Sequence, residues 1–346
     1  MKNLDKSIKS GIRYSLIISI VIIVLILIFT TDTRTWDALL TLKWEYIFYV
    51  ILLNMLSWVW SGIRYSIMIN GIADSKLNLI EALQIHLAYY FASSITPSAA
   101  GGEPLEIYLL SKKNIKVGQA TALSLFRYII NTLTFAIASP IVLYFYSFLF
   151  PQSIIKNLVQ YSAILFFIIV ALFIFALYKP RPVIKFLSYI LIKLRRIPFL
   201  NKIHPYKIIR EVYKTVTDFH NTLWLFIKEK KLVLLGFFIF NLLSWITYFL
   251  IAPLLMLGFQ MEVNNILSIV LVQIPIFFLL FYVPTPGGSG AVELLLSLGF
   301  SPFIPKYVLG IFIILWRFLT HYFTLITGAF VTIYILGIKN WNQPKN

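Results

Sequence analysis

The stretch Thr96-Pro97-Ser98-Ala99-Ala100-Gly101-Gly102-Glu103-Pro104-Leu105-Glu106 interrupts an otherwise oily sequence. It gathers two prolines, two adjacent glycines and two carboxylates. The apolar run before it, 79–95, holds Glu81, Gln84 and His86. The run after it, 105–111, ends at Lys112-Lys113 and is too short to cross a hydrocarbon core, which needs about 20 helical residues. The spacing therefore predicts a re-entrant helical hairpin over 79–113, entering and leaving on one side. Non-helical backbone at such depth is tolerated where it is buried in protein or lines a wet cavity.

The rest of the chain fits that setting. Of 346 residues, 60% are hydrophobic and 12% charged, and the mean hydropathy is +0.85. No soluble fold hides so much apolar surface, so the class is all-α integral membrane. The apolar runs are long and continuous, unlike the short alternating strands of a β-barrel. Cysteine is absent, which excludes disulfides, thiolate metal sites and cysteine nucleophiles. The net charge of +17 sits beside apolar runs. It reads as positive-inside bias and contact with anionic lipid headgroups, not as nucleic-acid binding.

In order, 1–44 reads as an uncleaved first span (16–29) and an outer loop. Residues 45–149 hold a second span, the hairpin and a long outgoing span, and 150–178 a connecting span. The segment 179–231 carries thirteen Lys or Arg against three acids, which places it in the cytoplasm. Within it, Val183, Ile184, Leu187, Ile190, Leu191 and Leu194 fall at helical spacing, as in an interfacial helix. Residues 232–337 repeat the first pattern with a second hairpin at 263–300, and 338–346 form a cytoplasmic tail. The expectation is about six full spans plus two re-entrant hairpins in a multi-pass protein of the cell membrane, both termini cytoplasmic.

The two halves align. Asn54-Met55-Leu56-Ser57-Trp58 corresponds to Asn241-Leu242-Leu243-Ser244-Trp245 at an offset of 187, and Thr96-Pro97 to Thr285-Pro286 at 189. Glu103 corresponds to Glu293 and Arg127 to Arg317, both at 190. The second break reads Thr285-Pro286-Gly287-Gly288-Ser289-Gly290-Ala291-Val292-Glu293. By the charge bias, the first unit starts outside and the second inside, which makes the repeat inverted, a recurring transporter plan. At about 1.5 Å per helical residue, Glu103 and Arg127 both lie about 15 Å from the cytoplasmic face. Glu293 and Arg317 lie at mid-depth from the other side. Glu103 is therefore expected near Arg127 and Glu293 near Arg317, or the pairs cross over. An unpaired charge at that depth costs about 2.5–3.5 kcal/mol or more.

These motifs carry a resemblance. Thr-Pro-x-x-x-Gly-Gly-Glu-Pro from Thr96, then Tyr108-Leu109-Leu110, the Pro-Thr-Pro-Gly-Gly-x-Gly-x-x-Glu ending at Glu293, and the Arg-Phe-Leu-Thr-His-Tyr from Arg317 together resemble the lysylphosphatidylglycerol synthase transmembrane, or flippase-like, family. The resemblance covers nearly the whole chain and implies a lipid-handling membrane protein. Members resemble the flippase half of bacterial aminoacyl-phosphatidylglycerol synthases; others are linked to cardiolipin, hopanoid or polyprenyl-phosphate sugar pathways. It places Thr96, Pro97, Gly101, Gly102, Glu103 and Arg127 in one substrate site, and Pro286, Gly287, Gly288, Gly290, Glu293 and Arg317 in a second; Glu106 and Thr285, within the same two breaks, complete the expected substrate-binding set. There are three departures. The soluble aminoacyl-transferring domain is missing, so synthase activity is not implied. Glu106 stands where a basic residue is expected, and Phe126 precedes Arg127 where an acid is expected.

The glycine pairs suit unusual backbone and close helix approach. The half-helices after the breaks aim their N-termini inward, where free N–H groups suit a lipid phosphate. The plainer alternative is that Glu103 and Glu293 cap those helices and neutralise the arginines. Glu103 and Glu106 share a helical face, which suits proton coupling. Trp58, Trp245, Asn54 and Asn241 suit packing and interhelical hydrogen bonds. His86 and His321 suit polar lining. No catalytic triad, Walker loop or metal-ligand spacing is present, so no cofactor, metal or ATPase chemistry is expected. Four readings follow: a flippase moving an anionic phospholipid or polyprenyl-phosphate-linked lipid, an ion-coupled small-solute transporter, an intramembrane enzyme, and an accessory subunit of a lipid-modifying enzyme.

Overall fold

The computed structural model describes residues 33–72, 76–146 and 228–337, with scattered positions between 157 and 225. The first span, most of the connecting span, the interfacial helix and the C-terminal tail lie outside the described residues. The described residues form helices and no strands. Four helical stretches among them are long and apolar enough to cross a membrane: Trp44–Asn70, Val117–Phe145, Lys231–Gly258 and Lys306–Gly337.

A short helix α1 (Thr33–Leu40) precedes α2 (Trp44–Asn70). Helix α3 (Leu79–Ile95) starts at Asn78, whose side chain accepts from the Glu81 backbone N–H at 2.8 Å. Glu81 reaches back to the Asn78 N–H at 3.1 Å, completing a capping box. Thr96-Pro97 then ends the helix: Pro97 supplies no N–H, and Thr96 takes an extended backbone. One 3₁₀ turn (Pro97–Ala99) leads into α4 (Gly102–Lys112) and α5 (Val117–Phe145). Lys113 Nζ lies 2.8 Å from Glu81 Oε1, so the end of α4 is pinned to the start of α3. The two arms of this hairpin, 17 and 11 residues, are each shorter than a span.

The second half follows the same order. Helix α6 (Lys231–Phe249) continues as α7 (Ile251–Gly258), then come α8 (Ile266–Leu280), a 3₁₀ turn (Pro286–Gly288), α9 (Ala291–Phe300) and α10 (Lys306–Arg317). A π-helical turn (Phe318–Tyr322) joins α10 to α11 (Phe323–Gly337). The joint between α6 and α7 has a local cause. Pro253 cannot donate to the carbonyl of Phe249, and that carbonyl accepts instead from Gln273 Nε2 of α8 at 3.0 Å.

Contacts pair up across the halves. Helix α2 packs along α6; α3 packs on α4 and α8 on α9; α4 packs on α5 and α9 on α10; α5 packs on α8 while α11 packs on α3. The two 3₁₀ turns touch each other, and the Ser98 N–H donates to the Pro284 carbonyl at 3.2 Å. Apolar packing is divided accordingly. One buried cluster runs from Val50 through Phe249 to Trp316, and a second surrounds Tyr65, Ile85, Leu109 and Phe126.

Candidate functional site: a polar cavity between two helix breaks

A cavity of about 620 Å³ opens where the two turns meet. That volume falls within the range of small-molecule sites, about 300–1,000 Å³. Three guanidinium groups line it: Arg64 of α2, Arg127 of α5 and Arg317 of α10. Among the described residues, Glu103 is the one carboxylate on the wall. Around them stand His86, Tyr89 and Tyr90 of α3, Tyr128 and Asn131 of α5, Trp245 and Tyr248 of α6, and His321 of the π turn.

The first break sets its charges in a particular order. Arg127 Nη2 donates to Glu106 Oε2 at 2.7 Å, while Glu103 Oε1 lies 3.9 Å away. The expected Glu103–Arg127 approach is therefore present but secondary; Glu106 is the tight partner. One turn of α4 explains the exchange. Glu106 points into the protein and is fully buried, whereas Glu103 faces the cavity and keeps 24% of its side chain exposed. Tyr89 donates to Glu103 at 3.1 Å, and its ring lies 3.9 Å from the Arg127 guanidinium carbon.

The second break forms the expected Glu293–Arg317 pair, at 3.0 Å from Nε to Oε1. Glu293 also accepts from the Gly290 N–H at 2.7 Å, so one carboxylate caps α9 and neutralises the arginine. Arg317 Nη2 donates to the Gly287 carbonyl at 3.3 Å. Tyr90 Oη and His321 Nδ1 lie 2.8 Å apart, which ties α3 to the π turn.

The glycine pairs are not equivalent. Gly287 and Gly288 take φ of +59° and +67°, the left-handed backbone that glycine enters freely. In the first break that conformation falls on Ser98 and Ala99, at +52° and +56°, and Gly101 is right-handed at −88°. The expectation of special backbone at Gly101-Gly102 is corrected: these glycines serve close approach. A Cβ on Gly102 would sit 1.9 Å from Ser93 Oγ. The Gly101 N–H, one of the donors expected to be free, bonds Thr96 Oγ1 at 2.8 Å.

The sequence matches the family described as lysylphosphatidylglycerol synthase TM region over residues 16–328. The chain belongs to that family. It is a membrane protein, and it is similar to the "UPF0104 membrane protein" of Archaeoglobus fulgidus. The identity is 24% over 325 residues, covering 93% of this chain and 96% of the relative.

Of the residues the family motifs single out, Glu103, Arg127, Thr285, Gly287, Gly288 and Arg317 line the cavity. Glu106 and Glu293 stand behind the wall and hold the arginines. Thr96, Pro97, Gly101, Gly102, Pro286 and Gly290 shape the two breaks without lining the cavity. Asn54, Trp58 and Trp245 do both jobs, packing and lining. Asn54 Nδ2 donates to the Leu319 carbonyl at 2.9 Å, Trp58 stacks on Phe323, and Trp245 Nε1 donates to Asn131 Oδ1 at 2.6 Å.

Sequence reasoning assigned no role to Arg64, Tyr89, Tyr90, Tyr128, Asn131 or Tyr248. Arg64 had a visible signal, an ionisable group inside an apolar run, which is by default a functional candidate. The tyrosines had none, because 20 tyrosines are spread along the chain. Among the described residues no group of His, Asp and Glu is arranged to hold a metal ion.

Proposed function

We propose that this protein is a flippase-like transporter that moves a phosphate-bearing lipid, an anionic phospholipid or a polyprenyl-phosphate-linked lipid, between leaflets. The observation that carries this reading is the cavity: three arginines and one partly exposed carboxylate at the junction of two broken helices, in a family named for lipid synthases. On this reading the two breaks belong to an inverted repeat with re-entrant hairpins, in a protein of six spans in the cell membrane with both termini cytoplasmic. The paired helix contacts across the halves support the repeat, and the Lys113–Glu81 bridge supports a hairpin whose ends share one face. The cavity is sized for a headgroup; acyl or prenyl chains stay in the bilayer.

The same charges argue against bond-breaking chemistry. Each carboxylate at the breaks has an arginine within 4 Å, so none stands free of a cationic partner to act on a scissile bond. We read the protein as a transporter and not an enzyme.

The test is movement of a headgroup-labelled phosphatidylglycerol in vesicles containing the purified protein, followed by external quenching of the label. The wild-type protein equilibrates the label across the leaflets, and Glu103→Gln slows it at least tenfold. Wild-type vesicles no faster than protein-free ones would overturn the reading. An unchanged rate in Glu103→Gln would remove Glu103 from the transport site.

A further inference from the structure

The three arginines on the cavity wall are not equally provided for. Arg127 has Glu106 at 2.7 Å and Glu103 at 3.9 Å, and Arg317 has Glu293 at 3.0 Å. Arg64 has no carboxylate within 4.0 Å among the described residues. Its Nη1 donates to a neutral group, the Oδ1 of Asn241 on α6. Its Nε has no hydrogen-bond partner, although the residue is only 6% exposed. The guanidinium carbon lies 5.5 Å from the Phe237 ring centre, which fixes the plane of the fork.

Arg64 is not alone there. His86 of α3 lines the same cavity, sits within electrostatic reach of both Arg64 and Arg127, and leaves its buried Nδ1 without a partner. Asn241 likewise leaves Nδ2 unpartnered. The excess carboxylate of the first break balances Arg64 at a distance, since Arg64, Arg127, Glu103 and Glu106 sum to zero charge. That long-range balance fills none of the contact positions on Arg64. Buried donors with no acceptor are costly, and a charged one most of all. An anion seated against Arg64 from the cavity would supply the counter-charge that the other two arginines already have.

We propose that Arg64, oriented by Asn241 and flanked by His86, is an oxyanion subsite that takes the phosphate ester of the cargo. The choice of a phosphate ester over another oxyanion rests on the lipid reading above. Arg127 and Arg317 are already neutralised by Glu106 and Glu293, so the phosphate seats on the third arginine, the one outside the repeated motifs. A planar guanidinium with a free edge suits a phosphate oxygen pair, which a lysine would meet only as a point charge.

The test is binding to the detergent-solubilised full chain, with didecanoyl-phosphatidylglycerol, inorganic phosphate, decanoate and uncharged didecanoylglycerol as probes. Phosphatidylglycerol binds, and Arg64→Gln weakens it at least tenfold without changing didecanoylglycerol. Asn241→Asp is the companion variant. It keeps Arg64 but gives it a carboxylate like those of the other two arginines, and it too weakens phosphatidylglycerol at least tenfold. Should Arg64→Gln fail to fold, Asn241→Asp carries the test. Displacement by inorganic phosphate at a similar concentration assigns the subsite to free phosphate; failure to displace assigns it to the lipid headgroup.

Equal phosphatidylglycerol binding by wild type and the folded variants overturns the subsite. So does the absence of phosphatidylglycerol and phosphate binding to wild type. Decanoate binding as tight as phosphatidylglycerol overturns the phosphate class. The vesicle assay separates the two proposals. Lipid movement that survives Arg64→Gln sinks the subsite alone. Arg64-dependent binding without lipid movement sinks the flippase reading alone.

Discussion

The two helix breaks answer the same structural demand with different chemistry. The second is closed on itself. Its turn uses glycine at each left-handed position, and Glu293, 0% exposed, serves Gly290 and Arg317 together. The first is left open. Its left-handed positions are Ser98 and Ala99, no carboxylate among the described residues caps α4, the Gly101 N–H goes to Thr96, and the arginine is held mainly by Glu106. Pairing through Glu106 leaves Glu103 to face the cavity. A repeated motif has thus produced one break built as a fixed support and one with a carboxylate to spare.

The sharpest way to break this comparison is to remove each carboxylate in turn. Glu293→Leu leaves a buried arginine unpaired and an N–H uncapped, and is expected to cost about 3–5 kcal/mol. Glu103→Gln, on a partly exposed group with a second carboxylate beside its arginine, is expected to cost about 1 kcal/mol or less. Thermal unfolding in detergent reads both; equal losses would mean that the breaks carry the same structural load. A middle-sized effect comes from Gly102→Ala. The new Cβ meets Ser93 Oγ and the Tyr89 ring, for an overpacking cost of about 1–3 kcal/mol. Combining it with Ser93→Ala should restore part of the melting temperature, and no recovery would mean that the close approach is not what Gly102 provides. The smallest effect tests the backbone. Ala99→Gly relieves a left-handed strain of about 1–2 kcal/mol against an entropic cost of about 0.5–1 kcal/mol. It should therefore be neutral to slightly stabilising, and a clear loss of stability would show that the first turn is not strained as described.

What the sequence made legible follows from what each signal measures. Long apolar runs report burial or lipid contact, so 44–70, 117–145, 231–258 and 306–337 were visible as helices. Thr-Pro reports backbone that cannot continue a helix, so both breaks were visible, whereas Gly-Gly marks left-handed backbone only in the second break. Charge depth placed Arg127 and Arg317 near carboxylates, but depth alone does not say which face of a half-helix turns inward, and so Glu103 was ranked above Glu106. The π turn at Phe318–Tyr322 was not legible. It contains no proline or glycine, and its freed Leu319 carbonyl is satisfied by Asn54, more than 250 residues earlier in the chain. Arg64 carries no repeat signal, since position 251, its match at the 187 offset, is an isoleucine.

That π turn divides a helix that looks continuous in sequence. Below the turn, α10 leans on α9 and α7 of its own half and on α1; above it, α11 leans on α3 of the first half. Arg317 and Thr324, seven residues apart, thus lie on differently packed helices, and both line the cavity. A π turn is already a relaxed place in the hydrogen-bond ladder, and such turns are common at functional sites. The segment 306–337 is in this sense less a strut than an elbow, with the Tyr90–His321 contact at its crease.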